Sequence, residues 1–255
     1  MSEESTMDRI RGEFSQAWAL FLKDVRTYYL TPPMVMWGLA LPFFMFFSFS
    51  VRRGLAPQIG IARLLALTTF FTASSAGSVI FPLERRARTY DRLMAAPMAL
   101  STILLSRSSV GAFFALGISL LSLLAGWALF GASVAQRALL TVAVILSAYS
   151  FSALGILFAS GSAQSPGQIM MPSTLLRWPL LFISGIFVPL DQMGFWARGV
   201  SYLSPLTYAP DLLNHAVLGT GVQSVVLDVA VLALLLLLFL GAASKIQRRS
   251  RKLGY

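Results

Sequence analysis

Eighteen consecutive residues from Met34 to Val51 carry no charge. A run of that length is read as a bilayer-crossing helix, because a helix satisfies all of its own backbone groups where no water can. Five further apolar runs follow: 64–83, 102–130, 138–160, 169–190 and 222–243. The pattern predicts an all-α integral membrane protein with six transmembrane helices and one transmembrane domain over 1–255. Pro42 is expected to kink the first span, and Arg52, Arg53 and Gly54 close it. The second span contains TTFFTASSAGS, a small-residue stretch suited to close helix packing. Arg107, near the start of the third, can snorkel to the interface. Charged residues make up 12% of the chain, about half the fraction usual in soluble domains.

The net charge of +10 would suggest nucleic acid in a soluble chain. Here the basic residues sit between apolar runs, so they read as topology determinants and no nucleic acid is expected. Six spans put both termini, 84–97 and the 161–168 turn on one side. That side holds thirteen Lys and Arg residues against five on the other. The termini are therefore expected in the cytoplasm and the chain in the plasma (inner) membrane. The basic tail KIQRRSRKLGY fits this rule and suits anionic membrane lipid. The opening MSEESTMDRIRGEF has no apolar h-region, so no secretory signal is expected. Residues 8–31 then show a 3.6-residue apolar period (Ile10, Phe14, Ala17, Trp18, Phe21 and Val25 among them), the mark of a helix lying in the membrane interface. The chain has no cysteine, and His215 has no second histidine to pair with. No metal site is expected.

Two stretches interrupt the spans. Leu83 to Met98, LERRARTYDRLMAAPM, carries four arginines and two acids. As a helix it would place Leu83, Ala87, Tyr90, Leu93, Met94 and Pro97 on one stripe and Arg85, Arg88 and Arg92 on another. Glu84–Arg88 would be an i,i+4 pair, and Pro97 would end the helix. It is either a solvated basic loop or a short helix on the cytoplasmic face offering side chains to a soluble partner. The second stretch, 191–221, is rich in aromatic and aliphatic residues, including Phe195, Trp196, Tyr202 and Tyr208. Such a segment should avoid water. It is expected to form a re-entrant pair of short helices, or else a folded outer cap.

Both stretches resemble the ABC-2 type transporter permeases. Glu84 to Pro97 is similar to that family's E-x-x-R-x-x-x-T-x-[DE]-x-L-x-x-x-P segment. Gly185 to Asp211 is similar to its G-x-F-x-P-[LMI] … W … P-L-T-Y-x-x-D pattern, here GIFVPL, Trp196 and SPLTYAPD. The chain departs from the family at Arg88, Ser204 and Asn214–His215, where glycine, asparagine and a basic residue are frequent. The resemblance implies a coupling helix at 84–97 that meets an ATPase subunit through Glu84, Arg85, Arg86, Arg88, Asp91, Arg92, Leu93 and Pro97. It also implies an external re-entrant hairpin built on Trp196, Ser204, Pro205, Leu206, Thr207, Tyr208 and Asp211. The implied assembly has two permease subunits, here read as a homodimer, and two ATPase subunits.

No G-x-x-x-x-G-K-[ST] loop occurs, so ATP and Mg²⁺ are expected in the partner subunit and none in this chain. The function expected is that of an exporter's transmembrane permease subunit, with an amphipathic drug, lipid or glycan as cargo and no catalytic residues of its own. The rival reading, an ion-coupled secondary transporter, would want acids at mid-membrane; the spans offer only Asp228, near an outer end. Arg177 lies eight residues into the fifth span. It should face the bundle or a wet cavity, either as an anchor reaching the inner leaflet or as a contact on the cargo pathway.

Overall fold

The structure, a computed structural model, describes residues 2–29, 40, 43–44, 57–86, 89, 93, 98–131, 134–161, 166–188 and 193–252. The predicted first span, 34–51, lies outside these apart from Ala40, Phe43 and Phe44. Among the described residues every regular element is helical. Helix α1 covers Ser2–Asp24 and ends in a π-helical turn, Val25–Tyr29. Then come α2 (Pro57–Arg86), α3 (Leu100–Phe130) and α4 (Arg137–Ala159). The rest are α5 (Pro166–Ile183), α6 (Phe195–Ser201), α7 (Pro205–Leu218) and α8 (Val225–Lys252). Among the described residues, four helices are long and apolar enough to cross a membrane, through Ile59–Ala76, Leu100–Ala128, Arg137–Ala159 and Val225–Arg249.

Helix α2 is the central post, packed against α3, α4, α5 and α7. Of the residues in its stretch Ile59–Ala76, 83% are buried, whereas in the most apolar stretch of α8 only 11% are. Small residues make this position possible. A Cβ added to Gly155 of α4 would fall 2.2 Å from the backbone oxygen of Ser74, and one on Gly111 of α3 would fall 3.2 Å from that of Ala73. The two helices therefore approach the backbone of α2 directly. Hydroxyls in this seam are returned to carbonyls. Ser74 Oγ donates to Phe70 O at 2.6 Å, and Ser78 Oγ reaches both Ser74 O (3.0 Å) and Gly155 O (3.3 Å). Thr69 and Ser119 share a hydrogen bond across α2 and α3 at 2.8 Å. Nearby, Phe70 meets Phe151 edge to face at 5.1 Å.

Helix α5 stops at Ile183, not at Leu190 where the apolar run ends. The reason is local: Ser184 turns its hydroxyl back onto Leu181 O at 2.6 Å, and Gly185 takes a left-handed φ of 84°. Helix continuation is lost at that point even though Ile186 and Phe187 remain buried. The outward faces are apolar. Leu234, Leu237 and Leu238 on α8 and Leu120, Leu121 and Leu124 on α3 are all more than half exposed or nearly so. A chain surrounded by water would bury such rows; in a bilayer they face lipid.

Candidate functional site

Three clusters collect the charged and polar groups singled out by the sequence. The first lies where α2 runs into the 84–97 segment. Glu84 is fully buried, and its carboxylate accepts from Lys23 Nζ of α1 and from the Arg107 guanidinium of α3. Asp24, also fully buried, stands 2.9 Å from Lys23 Nζ and 3.9 Å from Arg107 Nε. Two bases and two acids from three helices thus neutralise one another. Burial pushes the Asp24 carboxyl above the usual carboxylate range, against the pull of Arg107 and Lys23.

This arrangement corrects one expectation and redirects another. Arg107 does not snorkel: it is fully buried, because Glu84 and Asp24 supply counter-charges inside the bundle. The Glu84 side chain turns inward to Lys23 and Arg107, the neighbours its placement at the end of α2 offers. The segment beyond it is held at its base by Thr89, whose N–H donates to Glu84 O at 3.0 Å, and Leu93 N–H in turn donates to Thr89 O at 3.1 Å. The side chains of Arg85, Arg86, Arg88, Asp91, Arg92 and Pro97 lie outside the described residues.

The second cluster is Arg177 on α5, 5% exposed. Its Nη2 donates to Ser74 O at 2.9 Å and Ser78 Oγ at 2.8 Å, and its Nη1 to Ser75 Oγ at 3.3 Å. It faces the bundle, and it fastens α5 to the small-residue seam of α2. Among the described residues its partners are hydroxyls and a carbonyl, without an acid.

The third cluster is the α6–α7 hairpin, where SPLTYAPD becomes legible residue by residue. Ser204 caps α7, its Oγ accepting the Leu206 N–H at 3.3 Å, and Pro205 occupies the first turn, where a missing N–H costs nothing. Leu206 is buried in the core. Thr207 Oγ1 and Tyr208 Oη donate to the carbonyls of Ser201 and Tyr202 at the end of α6, the latter at 2.8 Å. Asp211 accepts the N–H groups of Val222 (2.8 Å) and Gln223 (2.7 Å), fixing the turn into α8. Trp196 points away, 84% exposed on α6.

Folding also assembles a group that sequence reading did not. Asp211 and His215, one turn apart on α7, meet Asp228 in the first turn of α8, with one ligand-type atom from each within 4.8 Å of the others. A lone histidine argued against such a cluster; the usable signal was an acid four residues before it.

A bundle with apolar outer faces and its charges paired inside is an integral membrane protein, and its charged clusters lie at helix junctions. The chain belongs to the ABC-2 type transporter family, whose match covers residues 15–218. It is accordingly the membrane subunit of an ABC transporter, in a family that associates with an ABC ATPase subunit. Among its relatives, Nodulation protein J of Neorhizobium galegae is 24% identical over 249 residues, covering 86% of this chain and 88% of that protein. Nodulation protein J of Rhizobium leguminosarum bv. viciae is 27% identical over 107 residues. That match covers 42% of this chain and 41% of the relative.

Proposed function

We propose that this chain is the permease of an ATP-driven exporter, working as a homodimer with two ATPase subunits that bind ATP and Mg²⁺. In this reading the whole chain forms one domain of six spans in the plasma (inner) membrane, with cytoplasmic termini. The 84–97 segment is the coupling helix, and 191–221 is an external re-entrant hairpin. The observation that carries it is the Lys23–Asp24–Glu84–Arg107 cluster. A push on 84–97 enters the protein at Glu84, which ties the base of that segment to α1 and α3. Movement of an attached ATPase would thus shift three helices together as a rigid unit.

The cargo is an amphipathic drug, lipid or glycan that passes between the two permeases. A groove of about 580 Å³ between α1 and α3, lined by Phe14, Trp18, Phe21 and Phe113 with Ser106 and Tyr149, suits an amphipathic molecule by its mix of aromatic and hydroxyl groups. Arg177 is placed beside the pathway in this reading. The test is Arg85→Ala, Arg88→Ala and Arg92→Ala combined, in permease reconstituted with its ATPase. Assembly should weaken, or hydrolysis should continue without transport. Unchanged coupled transport would remove the role assigned to the segment.

A further inference from the structure

We propose that Asp211, His215 and Asp228 form a binding site for a divalent transition-metal cation of the Zn²⁺ type, joining α7 to the first turn of α8. Asp228 is the group that calls for a ligand. It is fully buried, and among the described residues its carboxylate oxygens have no hydrogen-bond partner other than the neighbouring Asp211 carboxyl. An ionised carboxylate stripped of water needs a counter-charge or donors. Placement in the first turn of a helix supplies only the partial charge of the helix end. The neighbour it faces is a second carboxylate, Asp211, itself 4% exposed. Two acids brought that close out of water repel, and one cation of charge +2 answers both.

The geometry is nearly closed. One ligand-type atom from each residue, with either ring nitrogen counted for His215, lies within 4.8 Å of the other two. On a tetrahedron with bonds of about 2.0–2.2 Å, ligand atoms stand about 3.4 Å apart. Side-chain shifts of about an ångström would therefore complete it. Asp211 and His215 are spaced i,i+4, so α7 presents both on one face. Asp211 is oriented by the Val222 and Gln223 N–H groups, one on each oxygen, leaving lone pairs on both. His215 Nε2 meets Gln223 O at 2.7 Å. A carbonyl only accepts, so Nε2 carries the proton and Nδ1 keeps its lone pair in the neutral ring. Ligating imidazoles are commonly held in this way. Gly221 makes room for the ring, since a Cβ there would lie 2.3 Å from Nε2. His215 is only partly buried, which gives an ion a way in. The mixed nitrogen and oxygen set favours Zn²⁺ and its neighbours over Mg²⁺ and Ca²⁺, which prefer oxygen alone.

The chain itself makes the test clean, because it has one histidine and no cysteine. The full chain, purified through a histidine-free tag into lipid nanodiscs and stripped with EDTA, is titrated with Zn²⁺. One Zn²⁺ per chain should bind, raise the thermal midpoint and leave Mg²⁺ without effect. Asp228→Asn and His215→Gln should each weaken binding by at least about tenfold. X-ray absorption of the wild-type zinc complex needs no variant to fold, and it should show one imidazole with oxygen neighbours. A first shell without imidazole, no saturable binding, or equal binding by the wild type and both variants would overturn the site. Absence of binding together with a higher midpoint in Asp228→Asn would show that the two acids share a proton instead.

Discussion

Removing the Glu84 charge should be among the most damaging single changes in the described core, and the structure sets the scale. Lys23 and Arg107 balance Asp24 and Glu84, so Glu84→Gln leaves one net positive charge at a site where Arg107 has no exposure. Loss of one member of a buried pair costs about 3–5 kcal/mol, mostly from the charge left behind. A neutral hydrogen bond would account for only about 0.5–1.5 kcal/mol. Lys23 makes a useful contrast. Its side chain is 44% exposed, so water can take its place, and Asp24, whose carboxyl burial already pushes up, can take a proton; Lys23→Gln should therefore cost less than Glu84→Gln.

The decisive measurement is a double-mutant cycle on the full chain in nanodiscs, read by reversible denaturation. Glu84→Gln and Arg107→Gln should each destabilise by about 3–5 kcal/mol, while the double variant restores neutrality with Lys23 and Asp24 still opposed. It should therefore recover much of the loss, giving a coupling energy of at least about 2 kcal/mol. If the two single changes simply add, or if each costs less than about 1 kcal/mol, the buried cluster is not what holds α1, α2 and α3 together.

Two further outcomes follow from the packing. Gly155→Ala forces a methyl to within 2.2 Å of Ser74 O and should lower the thermal midpoint sharply or prevent folding; Gly117→Ala meets nothing within 4 Å and should be neutral or gain up to about 1 kcal/mol from helix propensity. Equal melting of these two variants would contradict the close approach of α2 and α4. Arg177→Lys keeps the charge but not the guanidinium's spread of donors, so membrane levels should stay normal while transport in vesicles falls; wild-type transport by Arg177→Gln at equal expression would leave this arginine only a fastening role.

The helices were legible because hydrophobicity over twenty residues is a property of the chain alone. Among the described residues, the four long apolar helices overlap runs read from sequence, and the small-residue stretch TTFFTASSAGS does mark where backbones approach. What periodicity could not provide is where a helix stops inside an apolar run. Nothing in the hydropathy of 184–190 distinguishes it from α5; the Ser184 hydroxyl and the left-handed Gly185 do. Likewise α2 extends back to Pro57, beyond the expected start at Leu64, and takes in Arg63, the charge that bounds the apolar run.

The tertiary partners of Glu84 were not legible in the sequence, and the reason is geometric. Sequence spacing offers partners within one helix, so Glu84 invites pairing with Arg88. Tertiary partners such as Lys23, 61 positions away, and Arg107, 23 away, have no local signature. A stronger inference was available from energy alone. Arg107 sits five residues into the run 102–130, which holds no other charge, and an unpaired guanidinium costs about 2.5–3.5 kcal/mol at the centre of such a helix. Snorkelling relieves that cost only if the side chain points to the interface. An acid closing the preceding span relieves it better, because it removes the charge as well as its exposure. Glu84 is that acid, so the same two residues that anchor the bundle also stand at the root of the segment proposed to receive the ATPase. A coupling element rooted in a neutralised ion cluster resists bending at its base, and a rigid base is what converts a push on the segment into movement of the helices.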